Sequence, residues 1–322
     1  MTTYHRDLFS TYSIVARDAE TGQLGVAVQT HQMCVGIHVP WLLPGVGAIA
    51  TQAMVNVSFG PMGLAMLREG VAAPDVLHAL VASDADADSR QVGIVDAAGR
   101  AAAWTGAHCI AEASHHVGEG YSVQANMMDQ PTVVAAMADA YEKATGDLAA
   151  RMLAALQAAQ REGGDIRGMQ SAALKVVGGA FAVPEKPGDI HSIYDLRVDE
   201  HADPLAELSR LVRLRRAQLL DEHAYEILED GDQASALAMW EESRTLAPEL
   251  EELPFWQAVE LADTHADIPQ AAAILGPVLI HETNRAHWID LIRRIQACGI
   301  IKRPGAGEEL ITALAAFEQN NR

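Results

Sequence analysis

The clearest structural pattern of the chain is in residues 12–28, Tyr-Ser-Ile-Val-Ala-Arg-Asp-Ala-Glu-Thr-Gly-Gln-Leu-Gly-Val-Ala-Val. Apolar residues alternate with others through Ile14 and Ala16, and they alternate again from Leu24 to Val28. The intervening residues 18–22 have the composition of a turn. Alternation with a period of two is typical of strands that bury one face, so the sequence predicts a β-hairpin near the start of the chain.

Outward from this hairpin, strands and helices come in runs. The predicted elements are a strand over 46–51, helices over 60–68 and 74–81, a second hairpin over 91–95 and 101–104, helices over 133–143 and 148–161, and strands over 171–177 and 192–198. Runs of strands alternating with runs of helices favour antiparallel sheets covered by helices. We therefore predict an α+β fold, a four-layer α-β-β-α sandwich.

After Asp203-Pro204 the pattern becomes continuously helical. From residue 217 the spacing of small residues and of Pro248 matches one 34-residue tetratricopeptide-like unit, in which two antiparallel helices touch. A degenerate second copy is expected from 251 and a capping helix over 288–295, while a generic helical hairpin remains the alternative. The predicted organisation is a 1–10 extension, an 11–204 domain and a 205–322 all-helical domain.

Composition excludes several classes of protein. The 322 residues carry a formal charge of −20, and no basic cluster suggests a nucleic acid or an anionic membrane as partner. The three cysteines, Cys34, Cys109 and Cys298, are widely spaced, which argues against a disulfide framework and a zinc ribbon. No apolar run has the length of a membrane span, and the N-terminus lacks the pattern of a signal peptide. A cytoplasmic location is expected.

Residues 105–126 are unusually polar and rich in glycine, which is typical of a functional loop. His108, Cys109, His115 and His116 lie within it, but their spacing matches no standard zinc motif, so no metal and no cofactor are predicted. A Cys109 nucleophile with His115 as its base stays open as an alternative, as does a histidine-bound metal.

Seven collinear motifs then carry a family resemblance: YSIVARD (12–18), GVAVQ (25–29), GVGAIATQ (45–52), GPMG (60–63), RQVGIVD (90–96), GEGYSVQ (118–124) and GMQSAAL (168–174). Over about residues 11 to 205 the chain resembles the bacterial family called domain of unknown function 1028. That family is grouped with the N-terminal-nucleophile (Ntn) hydrolases, which implies the same sandwich.

The resemblance implies that Thr11 is the nucleophile and that its own α-amino group, once freed, is the general base. Ten residues precede Thr11, so this chemistry requires their removal. The lysine that proteasome-like members place on an early strand has no counterpart, because the first lysine is Lys143. Lys175, on a later strand, cannot be given that role from sequence.

The other expected site residues are polar and neutral. His115 and Asn126 are predicted to be catalytic, as proton carrier and oxyanion donor, although the motifs around them, EASH (112–115) and ANMM (125–128), depart from the family's WAGH and GNML. Predicted substrate-binding residues lie at strand ends: Gln29, Thr30, His31, Thr51, Gln52 and Asn56.

We therefore expect an amide hydrolase acting on a small metabolite or short peptide. The alternative is a non-catalytic small-molecule binding protein whose helical domain recruits partners or self-associates. Phe255, Trp256 and Trp288 are expected to be exposed in that domain, which predicts a homo-oligomer, a dimer in the first instance.

Overall fold

The structure, a computed structural model, describes residues 8–9, 11–180, 192–281 and 285–321. It divides the chain into two compact units, Met1–Val212 and Arg213–Arg322. The first combines antiparallel sheets with helices, and the second consists of helices. The division between the units falls inside a long helix, eight residues beyond the boundary predicted after 204.

Two antiparallel sheets form the first unit. In one, the described strands are β1 (Leu8–Phe9), β4 (Pro40–Leu43), β5 (Gly47–Met54), β6 (Arg90–Asp96) and β7 (Ala101–Thr105), ordered β1-β5-β6-β7 with β4 also on β5. In the other they are β2 (Thr11–Arg17), β3 (Leu24–Thr30), β8 (Ser114–Gly118), β9 (Tyr121–Asn126), β10 (Ser171–Val177) and β11 (Ser192–Val198), ordered β11-β10-β3-β2-β9-β8. We call these the five-stranded and the six-stranded sheet.

The predicted first hairpin is confirmed as β2 and β3, which pair from Thr11↔Thr30 to Arg17↔Leu24. The turn is held by the carboxylate of Asp18, which accepts hydrogen bonds from the backbone N–H of Thr21 at 2.8 Å and of Glu20 at 3.1 Å. A short acidic side chain that satisfies turn amides in this way favours the reversal of direction.

Helices cover one face of each sheet. α1 (Phe59–Arg68) and α2 (Ala73–Ser83) share a buried cluster with Ile49 of β5 and Ile94 of β6. α3 (Val133–Lys143) and α4 (Leu148–Arg161) belong to the six-stranded sheet, where Met152 of α4 packs over Gly25 of β3. A side chain on Gly25 would meet Met152 at 2.5 Å, so the glycine permits this close approach.

The opposite faces of the two sheets share a core. Val15, Val26 and Val28 of the six-stranded sheet pack with Ala48 and Val95 of the five-stranded sheet, and all are fully buried. Each buried valine contributes about 1.5–3 kcal/mol relative to an exposed one. Alternation along β2 therefore places Ser13 and Thr11 on the same inward face as Val15.

One prediction for this unit is wrong. Residues 105–126 are not a loop between a strand and a helix, because most of the segment forms the hairpin of β8 and β9. β8 is an edge strand with an exposed surface, so it needs no apolar alternation. β9 is fully buried, but its inward positions are Ser122, Gln124 and Asn126, and this polar composition conceals the strand.

The second unit is built from the end of α5 (Pro204–Glu229), α6 (Gln233–Leu246), α7 (Glu252–Asp263), α8 (Ile268–His281), α9 (Arg285–Ala297) and α10 (Ala306–Asn321). Its core includes the fully buried Trp240, Phe255 and Leu275. No helix in the described ranges is long and apolar enough to cross a membrane.

The expectation that three aromatic residues of this unit are exposed is wrong. Phe255 is fully buried, and the rings of Trp256 and Trp288 pack on it at centroid distances of 5.1 and 4.7 Å. The indole N–H of Trp288 donates to Glu251 at 3.1 Å, and that of Trp256 donates to Glu252 at 3.1 Å. The three rings pack on one another and both indole N–H groups have acceptors within the same chain, so these residues give no reason to expect a dimer.

Candidate functional site

Thr11 lies where the chain passes from one sheet to the other. Leu8 and Phe9 pair with Met54 and Ala53 of β5 in the five-stranded sheet, whereas Thr11 opens β2 in the six-stranded sheet. Thr11 is fully buried and is flanked in register by Thr30 on β3 and Asn126 on β9. This end of the space between the sheets is the first candidate for a site.

Buried polar side chains continue from Thr11 between the sheets. Ser13 Oγ donates to Gln52 Oε1 at 2.6 Å and accepts from Gln124 Nε2 at 2.5 Å. Ser122 Oγ in turn donates to Gln124 Oε1 at 3.0 Å. The four residues are fully buried. Burial of such polar groups is unfavourable unless they form hydrogen bonds of this kind.

Gln91, on β6, is the hub of this network. Its Oε1 accepts from Gln52 Nε2 at 2.7 Å and from Asn126 Nδ2 at 2.9 Å. Its Nε2 donates to Thr105 Oγ1 at 2.8 Å, and Thr105 Oγ1 lies 2.8 Å from His115 Nδ1. The network therefore runs from the strand that Thr11 opens to a histidine at the surface.

A glycine makes room for the network. A Cβ on Gly93 of β6 would lie 2.2 Å from Gln124 Oε1 and 2.8 Å from Ser122 Oγ of the facing sheet. The absence of a side chain at Gly93 thus lets polar groups of one sheet contact the backbone of the other. Any larger residue at position 93 would force Gln124 to move.

Two of the amides hold the head of β2. Gln52 Nε2 donates to the carbonyl oxygen of Thr11 at 3.2 Å, and Asn126 Nδ2 approaches the same oxygen at 3.4 Å. Gln52 comes from the five-stranded sheet and Asn126 from the six-stranded sheet. The position of Thr11 is therefore set from both sheets.

His115 lies on the edge strand β8, and its ring is partly covered by the surrounding protein. Desolvation by the surrounding protein lowers the pKa of the ring, and the nearby His116 lowers it further. Near neutral pH the ring is therefore held in the neutral form, which can accept a proton.

Of the predicted substrate-binding residues, Thr30 and Gln52 share the inward face with Thr11. Gln29 does not, because its partner across the ladder is Tyr12, whose hydroxyl reaches Gln160 of α4 at 2.9 Å on the other face. Both amide atoms of Gln29 are buried without a hydrogen bond, as is Nδ1 of His31, which follows β3.

Thr51 and Asn56 are also placed elsewhere. Thr51 alternates with Gln52 and lies on the helix-covered face of β5, where its hydroxyl donates to the carbonyl of Asn56 at 3.3 Å. Asn56 Nδ2 donates to Asp84 at 3.0 Å. These two residues therefore stabilise the segment between β5 and α1.

Five residues of this network are not among those predicted from the sequence: Ser13, Gln91, Thr105, Ser122 and Gln124. A signal was available in β9, where Ser122, Gln124 and Asn126 occupy every second position of one strand. A polar stripe at a period of two indicates a strand with a polar face. Nothing in the sequence indicated that the facing strand β6 supplies Gln91.

Cys109 and His115, the alternative nucleophile and its base, contact other groups. Cys109 Sγ donates to the carbonyl of Arg90 at 3.4 Å, and burial raises the pKa of the thiol, which disfavours the thiolate. His108, Cys109, His115 and His116 are all described, and no group of metal-ligating side chains is found among the described residues. Lys175 lies 3.4 Å from Asp195 and is four residues along β10 from Ser171, the partner of Thr30.

The similarity to a known family is found in the first unit, which contains the sheets. The model of a family of unknown function (DUF1028) matches residues 11–208. The crystal structure of protein SPO2555 from Silicibacter pomeroyi, described by the same family, is 30% identical with a TM-score of 0.56. The match covers 63% of this chain and 88% of that one. A comparison with curated proteins gave no match.

Proposed function

The chain belongs to the family of unknown function DUF1028, and from this premise we propose that it is an amide hydrolase of the N-terminal-nucleophile type whose nucleophile is Thr11. We interpret the two helix-covered sheets as the four-layer sandwich of that superfamily. The observation that carries the proposal is the position of Thr11, at the head of a strand, with amides from both sheets on its carbonyl oxygen.

In the proposed reaction, residues 1–10 are removed and the new α-amino group of Thr11 has a pKa near 8. The neutral amine takes the hydroxyl proton while Oγ attacks the carbonyl carbon of the substrate amide. Collapse of the tetrahedral intermediate returns the proton to the leaving amine and leaves an ester on Thr11, which water then hydrolyses. No cofactor or metal takes part in these steps.

Asn126 is the best placed oxyanion donor, because it lies beside Thr11 in register and its amide is already directed there. His115 has a different role in the proposal. It is linked to Asn126 only through Thr105 and Gln91, so it is a positioning residue that helps to hold the amides in place.

The connection before Thr11 also fits this scheme. Residues 8–9 pair with β5 of one sheet, whereas Thr11 opens β2 of the other. In this proposal, removal of residues 1–10 gives the substrate access to Thr11, which is fully buried in the uncut chain. The substrate in this proposal is a small metabolite or a short peptide.

The test uses a chain that begins at Thr11, released from a fusion partner, and a β-lactone as electrophile. Attack by Oγ opens the lactone and adds its mass to the protein as an ester. We expect labelling of the Thr11 chain and none of its Thr11→Ala variant, with Thr51→Ala as a matched control that labels normally. Equal labelling of the Thr11→Ala variant would remove Thr11 as the nucleophile.

A second function is favoured by one observation, the complete burial of Thr11. On that basis we infer, as the alternative, a non-catalytic binding protein that keeps residues 1–10. In it the helical unit, which we interpret as two tetratricopeptide-like helical hairpins, would recruit a partner or a second copy. Retention of residues 1–10 in cells, with no labelling of the Thr11 chain, favours this alternative. A cytoplasmic location is proposed for either function.

A further inference from the structure

The space between the two sheets has a second end. β2 places Thr11 at one end and Arg17 at the other, on the same inward face. Six residue steps at about 3.3 Å each separate the two positions by about 20 Å. The Arg17 side chain lies by the turn between β6 and β7, where its Cδ is 3.8 Å from the position of a Cβ on Gly99.

A cavity of about 620 Å³ opens at this end. It is lined by the turns that follow β2, β6 and β8 and by the connection between α3 and α4. Sites for small molecules have volumes of about 300–1,000 Å³, so the cavity is large enough for a compact ligand.

Arg17 is the unusual residue of this cavity. Its Nε is buried and has no hydrogen bond, and no described residue forms an ion pair with its guanidinium group. Arg151, on the same cavity, is satisfied, because it lies 3.2 Å from Asp18 and 4.5 Å from the ring centre of Tyr141. Arg17 itself lines the cavity, and its guanidinium group has no ion pair among the described residues, so an anionic group that enters the cavity can bind it.

The rim of the cavity has the opposite charge. Glu20, Glu119 and Glu142 are exposed carboxylates on its lining, and Glu142 also accepts from the hydroxyl of Tyr121 at 2.6 Å. A ligand with several negative charges would be repelled by this rim, whereas an ammonium group would be attracted. The charges therefore favour a molecule that carries one negative and one positive group.

We propose that this cavity is a binding site for a small zwitterion, an amino acid or a similar aminocarboxylate. The carboxylate binds the guanidinium group of Arg17 and the ammonium group faces the carboxylates of the rim. The site is separate from Thr11, so the proposal does not depend on the hydrolase function.

Isothermal titration calorimetry of the full-length protein tests the proposal with the free L-α-amino acids as probes. Acetate, methylammonium and inorganic phosphate represent the anion alone, the cation alone and a multiply charged anion. We expect saturable binding of at least one amino acid and binding at least about tenfold weaker for the three simple ions. Saturable binding of no amino acid up to about 20 mM, or equal binding of acetate, would overturn the proposal.

Variants locate the binding. Arg17→Met is expected to weaken the binding of that amino acid by at least about tenfold, and Glu119→Gln, on the exposed rim, weakens it by a smaller factor. Arg68→Met is the matched control, since Arg68 is an exposed residue of α1 that does not line the cavity. Unfolding temperatures verify that each variant folds. Undiminished binding by folded Arg17→Met contradicts the assignment, and so does undiminished binding by folded Glu119→Gln.

Discussion

Replacement of Gln91 by methionine is the sharpest perturbation of the polar network, because it keeps the volume of the side chain and removes its hydrogen bonds. Gln91 Oε1 accepts from Gln52 and Asn126, and the two N–H donors of its Nε2 lie within hydrogen-bond distance of Thr105 Oγ1 and the backbone carbonyls of Ser114 and Ala125. A net hydrogen bond contributes about 0.5–1.5 kcal/mol. Gln52 and Asn126 keep their contacts with the Thr11 carbonyl, so we expect a loss of about 3 kcal/mol.

Native-state hydrogen exchange measures this loss locally, which avoids assuming that both units unfold together. The backbone amides of β2 and β9 should exchange with an opening free energy lower by about 3 kcal/mol in Gln91→Met. Gln130→Met, at an exposed position, is the control and should change it by less than about 0.5 kcal/mol. A decrease below about 1 kcal/mol in Gln91→Met would refute the view that Gln91 joins the sheets.

Three further predictions concern neighbouring positions. Gly93→Ala should destabilise the protein by about 1–3 kcal/mol because its Cβ collides with the facing sheet, whereas Gly178→Ala, with open space around it, should have little effect; thermal unfolding compares them. The hydrogen bond from Arg90 lowers the pKa of Asp84 to about 2, so Asp84→Asn should lower the free energy of unfolding by about 2 kcal/mol at pH 7. The difference should shrink as the pH falls from about 4 towards about 2, and denaturation at several pH values measures it. Burial lowers the pKa of His115, so the stability that depends on the neutral ring is present above about pH 6.5 and is lost as the pH falls through the folded-state pKa. Between about pH 7 and about pH 5, denaturation should therefore show a smaller loss of stability for His115→Gln than for the wild type.

The elements that the sequence predicts well are those whose hydrophobic pattern matches one covered face. α3 and α4 have the bounds predicted for them, 133–143 and 148–161, and β10 and β11 likewise match 171–177 and 192–198. Each of these helices buries one apolar stripe. The pattern and the local turn signals agree there, so sequence is sufficient.

The candidate site was harder to predict, since its strands violate the usual pattern. β9 buries polar side chains that are satisfied only by partners on β2 and β6, far away in sequence. Nothing in the local sequence identifies such partners, so the polar, glycine-rich composition predicts a loop there. Gln29 and Thr51 are likewise predicted to join Thr11 because they lie near strand ends, although a one-residue step along a strand changes the face.

The intact mass of the labelled protein from its natural cells shows whether Thr11 acts with a free α-amino group. The cell extract is treated with the β-lactone, and the chain that carries the adduct is weighed. We expect the labelled species to begin at Thr11 and no labelled chain to retain residues 1–10. A labelled chain that still begins at Met1 would show that Thr11 does not act with a free α-amino group.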